Sequence, residues 1–238
     1  MRLEIDGTRI VVDPWLSPHE DRLIPPPPLE LAADVDWLLV THEHLDHLDL
    51  PFLPTLVQRS PNIRLVLPEA LRPLVGLFPE AQVVSVQPHD TLDLDGLELN
   101  VVPAIHGVTV EDAYGDGSAV GGRPRFVGYV LGSERRIYHA GDSIVTNAVT
   151  EAVRELSPDV VLLPVNGRDA AREARGIVGN MNAAEAVELS LAVGARTLVP
   201  LHWDGFAGNT VAPGSAVDAA AGRVTVVVPA RFQAFEVS

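Results

Sequence analysis

The sequence predicts an α/β protein in which two β-sheets are covered by helices. Three observations support this fold class. Short runs rich in Val, Ile and Leu recur along the chain and are mostly bounded by Gly, Pro or Asp, as strands are. Residues 37–40 and 160–163 are apolar throughout, which is typical of strands covered on both faces, whereas residues 92–102 largely alternate, which is typical of half-buried antiparallel strands. Helical patterns lie between some of these runs.

The predicted elements follow one another without an obvious linker. The strands are residues 3–5, 10–13, 37–41, 63–67, 83–87, 97–105, 126–131, 136–139, 160–165, 197–201, 224–228 and 232–237. The helices are residues 50–59, 69–77, 145–156, 183–193 and 212–221. The helix over 183–193 has the clearest ends, because Asn182 is a good N-cap, Glu185 follows three positions later and Gly194 closes it. We therefore expect a single domain over residues 1–238.

The composition narrows the chemistry. The chain contains no Cys and no Lys, which excludes thiol nucleophiles, thiolate ligands, lysine Schiff bases and a P-loop lysine. Its formal net charge of −15 disfavours nucleic acid and suits the binding of cations. No apolar run reaches the roughly 18 residues of a membrane span, and the acidic N-terminus does not resemble a signal peptide. We therefore expect a cytoplasmic protein with no membrane or nucleic-acid partner, and homo-oligomer formation stays open.

Four potential metal ligands lie within six residues of one another. His42, His44, Asp46 and His47 follow the apolar strand over residues 37–41 and precede a helix. Polar side chains at the ends of such strands are where α/β proteins place their sites. Imidazole and carboxylate groups are the ligands that Zn²⁺ prefers when thiolates are absent. A solvated helix N-terminus that carries histidines by chance is the alternative, and this density of ligands argues against it.

Three further polar residues each follow an apolar strand. His106 comes after the strand over 97–105, Asp142 follows the strand over 136–139, and His202 follows the strand over 197–201. Taken alone, each would more often be a capping or turn residue. Their shared position at strand ends makes them candidate ligands.

Together these residues resemble the metallo-β-lactamase fold superfamily. The resemblance rests on the Thr-His-x-His-x-Asp-His run from Thr41, the later isolated His106, the Gly-Asp at Asp142 and the strand-end His202. It implies a four-layer αββα sandwich. It also implies that His42, His44 and His106 hold one metal, that Asp46, His47 and His202 hold a second, and that Asp142 bridges the two.

The same resemblance assigns supporting roles. Asp13 matches an early Asp-Pro whose carboxylate commonly orients a ligand histidine through its free ring nitrogen. His139 is either such a partner or a buried strand residue. The superfamily usually begins with a strand before the hairpin predicted here, so the first strand is expected to be missing or replaced.

Two loops resemble the branch of the superfamily that contains ascorbate-6-phosphate lactonase. They are residues 164–169 and 179–186, and they supply Asn166, Arg168, Asn180 and Asn182 as candidate substrate-binding residues. Arg suits bidentate capture of phosphate or carboxylate. The alternative is that the arginines of this region pair with acidic neighbours on a short solvent-facing helix.

The resulting hypothesis is a hydrolase with two divalent metal ions, with Zn favoured and Mn or Fe as alternatives. Two such cations lower the pKa of a bridging water and provide hydroxide at neutral pH. Asp46 and Asp142 are the candidate catalytic carboxylates, and Asp46 could accept a proton while remaining a ligand. The expected substrate is a small anionic ester or lactone, such as a sugar-phosphate lactone. The alternatives are a small or cyclic phosphodiester and, in another class, a non-catalytic metal-binding protein that retains the fold.

Overall fold

The computed structural model describes residues 1–76, 78–79 and 82–237 and contains two main β-sheets packed face to face. The first sheet has the order β1-β2-β3-β4-β5, in which only β1 is antiparallel to its neighbour. Its strands are β1 (Arg2–Ile5), β2 (Thr8–Val12), β3 (Trp37–Leu39), β4 (Arg64–Pro68) and β5 (Val83–Val86). The sheet thus begins at the predicted hairpin, with β1 at its edge.

The second sheet has seven strands in the order β14-β13-β12-β11-β10-β7-β6. Its strands are β6 (Thr91–Leu94), β7 (Leu97–Pro103), β10 (Val127–Leu131), β11 (Ile137–His139), β12 (Val160–Pro164), β13 (Thr197–Leu201) and β14 (Thr225–Val226). Strands β11 to β14 are parallel, and β10, β7 and β6 are antiparallel to their neighbours. Because two reversals separate β7 from β11, these two strands end at the same edge of the sheet.

Helices cover the outer face of each sheet. The covering helices are α1 (Leu53–Arg59) on the first sheet and α3 (Asn147–Leu156), α5 (Ala183–Ala192) and α6 (Gly214–Ala220) on the second. The shorter helices α2 (Val110–Tyr114) and α4 (Ala170–Glu173) lie in loops, and 3-10 helices occur at Leu29–Ala32, Glu69–Val75 and Asp116–Ser118. A short hairpin of β8 (Ala119–Val120) and β9 (Arg123–Pro124) precedes β10. The predicted αββα arrangement is confirmed.

Strand alternation divides the core into layers. In β3, Trp37 and Leu39 face the second sheet, while Leu38 packs under α1. The apolar runs are therefore buried on both faces, as their composition predicts. At the β1 edge, Leu3 and Ile5 pack against buried residues of the second sheet's inner face, which are Ile137, Val160, Leu162 and Val199.

Two predicted elements differ from the structure. Residues 69–75 form a 3-10 helix with a proline inside it, because Pro73 cannot donate the hydrogen bond that an α-helix needs; residue 77 lies outside the described residues. Residues 232–237 form no strand, because among the described residues no strand pairs with them. The carbonyl of Val237 instead accepts a hydrogen bond from the side chain of Arg135.

Within the described part of the chain, no helix has both the length and the apolar composition needed to cross a bilayer.

Tyr129 of β10 connects the second sheet to the first. Its ring is fully buried, and its hydroxyl donates a 2.6 Å hydrogen bond to the carbonyl of Val40 at the end of β3. We expect Tyr129→Phe to lower the free energy of unfolding by about 1–3 kcal/mol, because the carbonyl loses its buried donor. Urea denaturation measures this, and Tyr114→Phe, on an exposed ring, is the control. Equal stability of the Tyr129 variant and the parent would contradict the expected role.

Candidate metal centre

The turn after β3 carries four of the seven predicted ligands. β3 ends at Leu39, and the chain then folds so tightly that the carbonyl of His44 accepts hydrogen bonds from the N–H groups of both His47 and Leu48. His106, Asp142 and His202 follow β7, β11 and β13, which end at the same edge of the second sheet. The polar residues that follow strands of both sheets therefore meet at one site.

Three histidines converge at one end of this cluster. His42 Nε2 lies 3.1 Å from His44 Nδ1, and His106 Nε2 lies 3.2 Å from that same nitrogen. Ligands about 2.05 Å from a tetrahedral zinc ion stand about 3.3 Å apart, so this spacing fits a shared cation. Burial, reinforced for His42 by the neighbouring imidazoles, lowers the pKa of all three. They are therefore neutral at pH 7, which is the form that binds a metal.

A second cluster joins Asp46, His47 and His202. His202 Nε2 lies 2.9 Å from Asp46 Oδ2, and His47 Nε2 lies 3.3 Å from the same oxygen. Burial disfavours the charged form of each of these groups, but their opposite charges outweigh it. The carboxylates raise the pKa of His47 and of His202. The two histidines hold the pKa of Asp46 well below its usual value. Two imidazoles and a carboxylate are a zinc-type donor set.

Asp142 lies between the two clusters. Its Oδ2 is 3.5 Å from His106 Nε2 and 3.3 Å from His202 Nε2, and its Oδ1 is 3.5 Å from His47 Nε2. Burial would raise its pKa, but the three histidines lower it. Gly141 before it has φ of +59°, and a Cβ there would lie 2.7 Å from the Thr41 side chain. Only glycine allows Asp142 to approach the turn this closely.

Hydrogen bonds from outside the clusters fix the ring orientations. Asp13 Oδ2 accepts bonds from His47 Nδ1 at 2.7 Å and from the Thr41 hydroxyl at 2.7 Å, and Thr41 Oγ1 in turn lies 3.0 Å from His42 Nδ1. The Nδ1–H of His106 donates to the Gly179 carbonyl at 2.9 Å. Because Nδ1 carries a proton in each case, Nε2 is the nitrogen that faces the centre and is available to a metal.

Three buried atoms of the candidate ligands have no hydrogen-bond partner among the described residues: His47 Nε2, Asp142 Oδ1 and His202 Nδ1. The first two lie 3.5 Å apart. Buried polar atoms are normally paired, so unpaired ones that face each other call for a ligand. The residues present therefore fit divalent cations. A third grouping of His42, His47 and Asp142 also lies within ligand range, so the two clusters adjoin.

The predicted substrate residues lie beside the centre but line a different pocket. Asp46, His47, Asp142 and His202 face a cleft of about 1630 Å³. The candidate substrate residues Asn166, Arg168 and Asn182 instead line a pocket of about 550 Å³ at the end of β12. Within the loop, Asn180 Nδ2 donates to Asn166 Oδ1 at 3.0 Å, and Asn182 Oδ1 caps α5 through the Glu185 N–H.

The basic residues of this loop are paired in part, as the alternative interpretation holds. Arg168 contacts Glu173 and Glu185, at 3.2 and 3.6 Å. Arg172 contacts Asp169 at 3.2 Å and also donates to the carbonyl of Asn166.

Sequence reasoning missed Arg125, which contacts Glu43 inside the histidine run. Its only signal was its position just before a buried strand, and that does not reveal its partner.

A family model described as the Beta-lactamase superfamily domain matches residues 8–203, which is most of the chain. A UPF0173 metal-dependent hydrolase from Methanopyrus kandleri is 30% identical over 86% of this chain and 80% of that protein. The chain belongs to the β-lactamase superfamily of metal-dependent hydrolases.

Two solved structures share the fold. The metallo hydrolase Igni18 from Ignicoccus hospitalis gives a TM-score of 0.73 at 20% identity, covering 96% of this chain and 90% of that chain. An isothiocyanate hydrolase from Delia radicum gut bacteria gives 0.75 at 19% identity, covering 96% and 92%. At these identities the likeness concerns the fold alone.

His139 lies buried at the end of β11, where its Nδ1 accepts the Gly141 N–H at 3.1 Å. Burial lowers its pKa to about 4. Unfolded histidine gains a proton below about pH 6.5, so the folded state loses stability as the pH falls from 6.5 to 4, by about 3 kcal/mol in total. His139→Asn keeps an acceptor for Gly141 and should lack this loss. Urea unfolding of the metal-free parent protein and of metal-free His139→Asn at pH 7.5 and 4.5 measures this loss of stability. An identical pH dependence of the two proteins would contradict the lowered pKa of His139.

Proposed function

We propose that the chain uses two divalent metal ions to hydrolyse a small anionic ester or lactone. The observation that carries this proposal is the sharing of Asp142 between two clusters of ligand atoms, one of three histidines and one of Asp46, His47 and His202. The first cluster would hold one ion and the second the other, with the Asp142 carboxylate reaching both. Zn²⁺ suits this donor set best, and Mn or Fe suits it as well.

Divalent ions bound here would act as Lewis acids and would acidify a water molecule, which provides a nucleophile at neutral pH. Residues of the chain would orient the ligands and accept a proton. Asp13 and the Gly179 carbonyl hold His47 and His106 in the correct tautomer, and Asp142 keeps the two clusters at a fixed separation. Asp46 faces the cleft beside the second cluster, and this position makes it the candidate to accept a proton during hydrolysis.

The pocket at the end of β12 is separate from the cleft of the centre, but β12 lies between the strands that lead to Asp142 and His202. We therefore assign this pocket to the anionic group of the substrate and the cleft to the bond that is hydrolysed. Asn166 follows β12, between the strands that lead to Asp142 and His202, and the residue is 4% exposed. With Arg168 and Asn182 it offers amide and guanidinium donors suited to carboxylate or phosphate. A bound anion would compete with Glu173 and Glu185 for Arg168. The substrate group must therefore bring at least two oxygens to displace them.

The number of bound metal ions tests the two-metal proposal. The parent protein should retain two ions per chain after excess metal is removed, whereas His44→Ala and His202→Ala should each retain one, because each removes a ligand of one cluster only. Inductively coupled plasma mass spectrometry with a protein assay measures the ratio. His89→Ala, at an exposed position, is the control and should retain two. A parent protein that binds one ion or none would exclude the two-metal proposal.

A panel of substrates tests the proposed ester or lactone hydrolysis. A panel of lactones, carboxylic esters, thioesters, cyclic phosphodiesters and isothiocyanates is tested with protein loaded with Zn, Mn or Fe. We expect turnover of an anionic lactone or ester, with Arg168→Met raising KM at least tenfold and leaving kcat nearly unchanged.

Arg175→Met is the matched control, because Arg175 lies in the same loop, is exposed and does not line the pocket. Preference for a cyclic phosphodiester would replace the ester proposal. A protein that binds two metals and turns over none of these compounds would favour the non-catalytic alternative.

A further inference from the structure

We propose that Arg125 is a positioning residue that holds the three-histidine cluster together, an inference that rests on the proposed metal function. Arg125 lies between β9 and β10, and its side chain is only 16% exposed. Its guanidinium forms ion pairs with Glu43 and with Asp112, the latter at 2.7 Å, and donates to the Gly117 carbonyl. Two carboxylates and one carbonyl from separate segments therefore meet at one cation.

The pair with Glu43 fixes the chain between two candidate ligands. Glu43 lies between His42 and His44, and its side chain is only 19% exposed. Its Oε2 is buried without a partner among the described residues, so Arg125 supplies its compensating charge. A partly buried carboxylate that loses its cation must move toward water. Any such movement of Glu43 would displace the rings on either side of it.

The pair with Asp112 fixes the loop that follows the third candidate ligand. Asp112 Oδ2 accepts the N–H of Val108, two residues after His106, at 3.1 Å, while its Oδ1 contacts Arg125. A bidentate guanidinium can join two carboxylates in a fixed geometry, and an ammonium group cannot do this equally well. Arg125 thus connects the segment of His42 and His44 to the segment of His106.

Phe126 adds a packing contact to the same cluster. Its ring lies against the rings of His42, His44 and His106, with centroid separations of 5.6, 6.3 and 5.6 Å. The Arg125 guanidinium carbon lies 5.0 Å from the centroid of Phe126, so it also restrains this ring. The other cluster depends on a different group, because His47 is held by Asp13. Loss of Arg125 should therefore weaken one cluster selectively.

The experiment measures each cluster separately by competition with a fluorescent zinc chelator. His202→Ala leaves the three-histidine cluster to be titrated, and His44→Ala leaves the cluster of Asp46, His47 and His202. Arg125→Met added to the first background should weaken Zn²⁺ binding about 10- to 100-fold, as the loss of groups that orient ligands does. Added to the second background it should change binding less than threefold. Arg125→Lys should recover part of the loss.

Arg123→Met is the matched control, since Arg123 is exposed and forms an ion pair with Glu69, away from the histidines. It should leave both affinities unchanged. Thermal unfolding of the metal-free variants checks that each is folded. Equal weakening of both clusters, or of neither, would overturn the positioning role. Failure of the parent protein to bind two ions would count against the proposed function, which the metal content measurement detects independently.

Discussion

Asp13 occupies the point on which the site's geometry depends. Its carboxylate accepts the backbone N–H and hydroxyl of Thr41 and the Nδ1–H of His47. These bonds join the end of β2 to the turn after β3, and they determine which nitrogen of His47 faces the centre. Asp13 itself has φ of +48°, a left-handed conformation that is uncommon outside Gly, Asn and Asp. The cost of this conformation is offset by three hydrogen bonds to a buried carboxylate.

The carboxylate of Asp49 also joins the segment after β2 to the turn after β3, but here the carboxylate belongs to the turn. Asp49 is 1% exposed and accepts the N–H groups of Leu16 and Ser17 and the hydroxyl of Ser17. Asp13 thus reaches from the first segment to the turn, and Asp49 reaches from the turn back to the first segment. Because each buried charge is satisfied by several donors, neither segment can move without leaving a carboxylate unpaired.

The centre itself balances burial against charge. Desolvation alone would discharge every ionisable group there, but the two kinds of cluster respond differently. In the three-histidine cluster burial prevails, and it lowers the pKa values of His42, His44 and His106. His47 and His202 lie beside Asp46 and Asp142, and their pKa values rise. Divalent cations would replace those protons and would satisfy the carboxylates in the same positions, which is why this set of residues suits metal binding.

Local patterns in the sequence, together with its resemblance to the metallo-β-lactamase fold superfamily, were enough to predict the fold class, the layers and the seven residues that meet at the centre. Strand ends and glycine turns are local features that a sequence reveals, and parallel strands bring their ends to one edge of a sheet. The sequence did not reveal that Asn166, Arg168 and Asn182 line a pocket separate from the cleft of the centre, nor that Arg125 contacts Glu43 and Asp112. It also misplaced a strand at residues 232–237. Pairing between distant side chains, and the presence of a partner strand, depend on where segments far apart in the chain come to lie, and only the tertiary structure decides that.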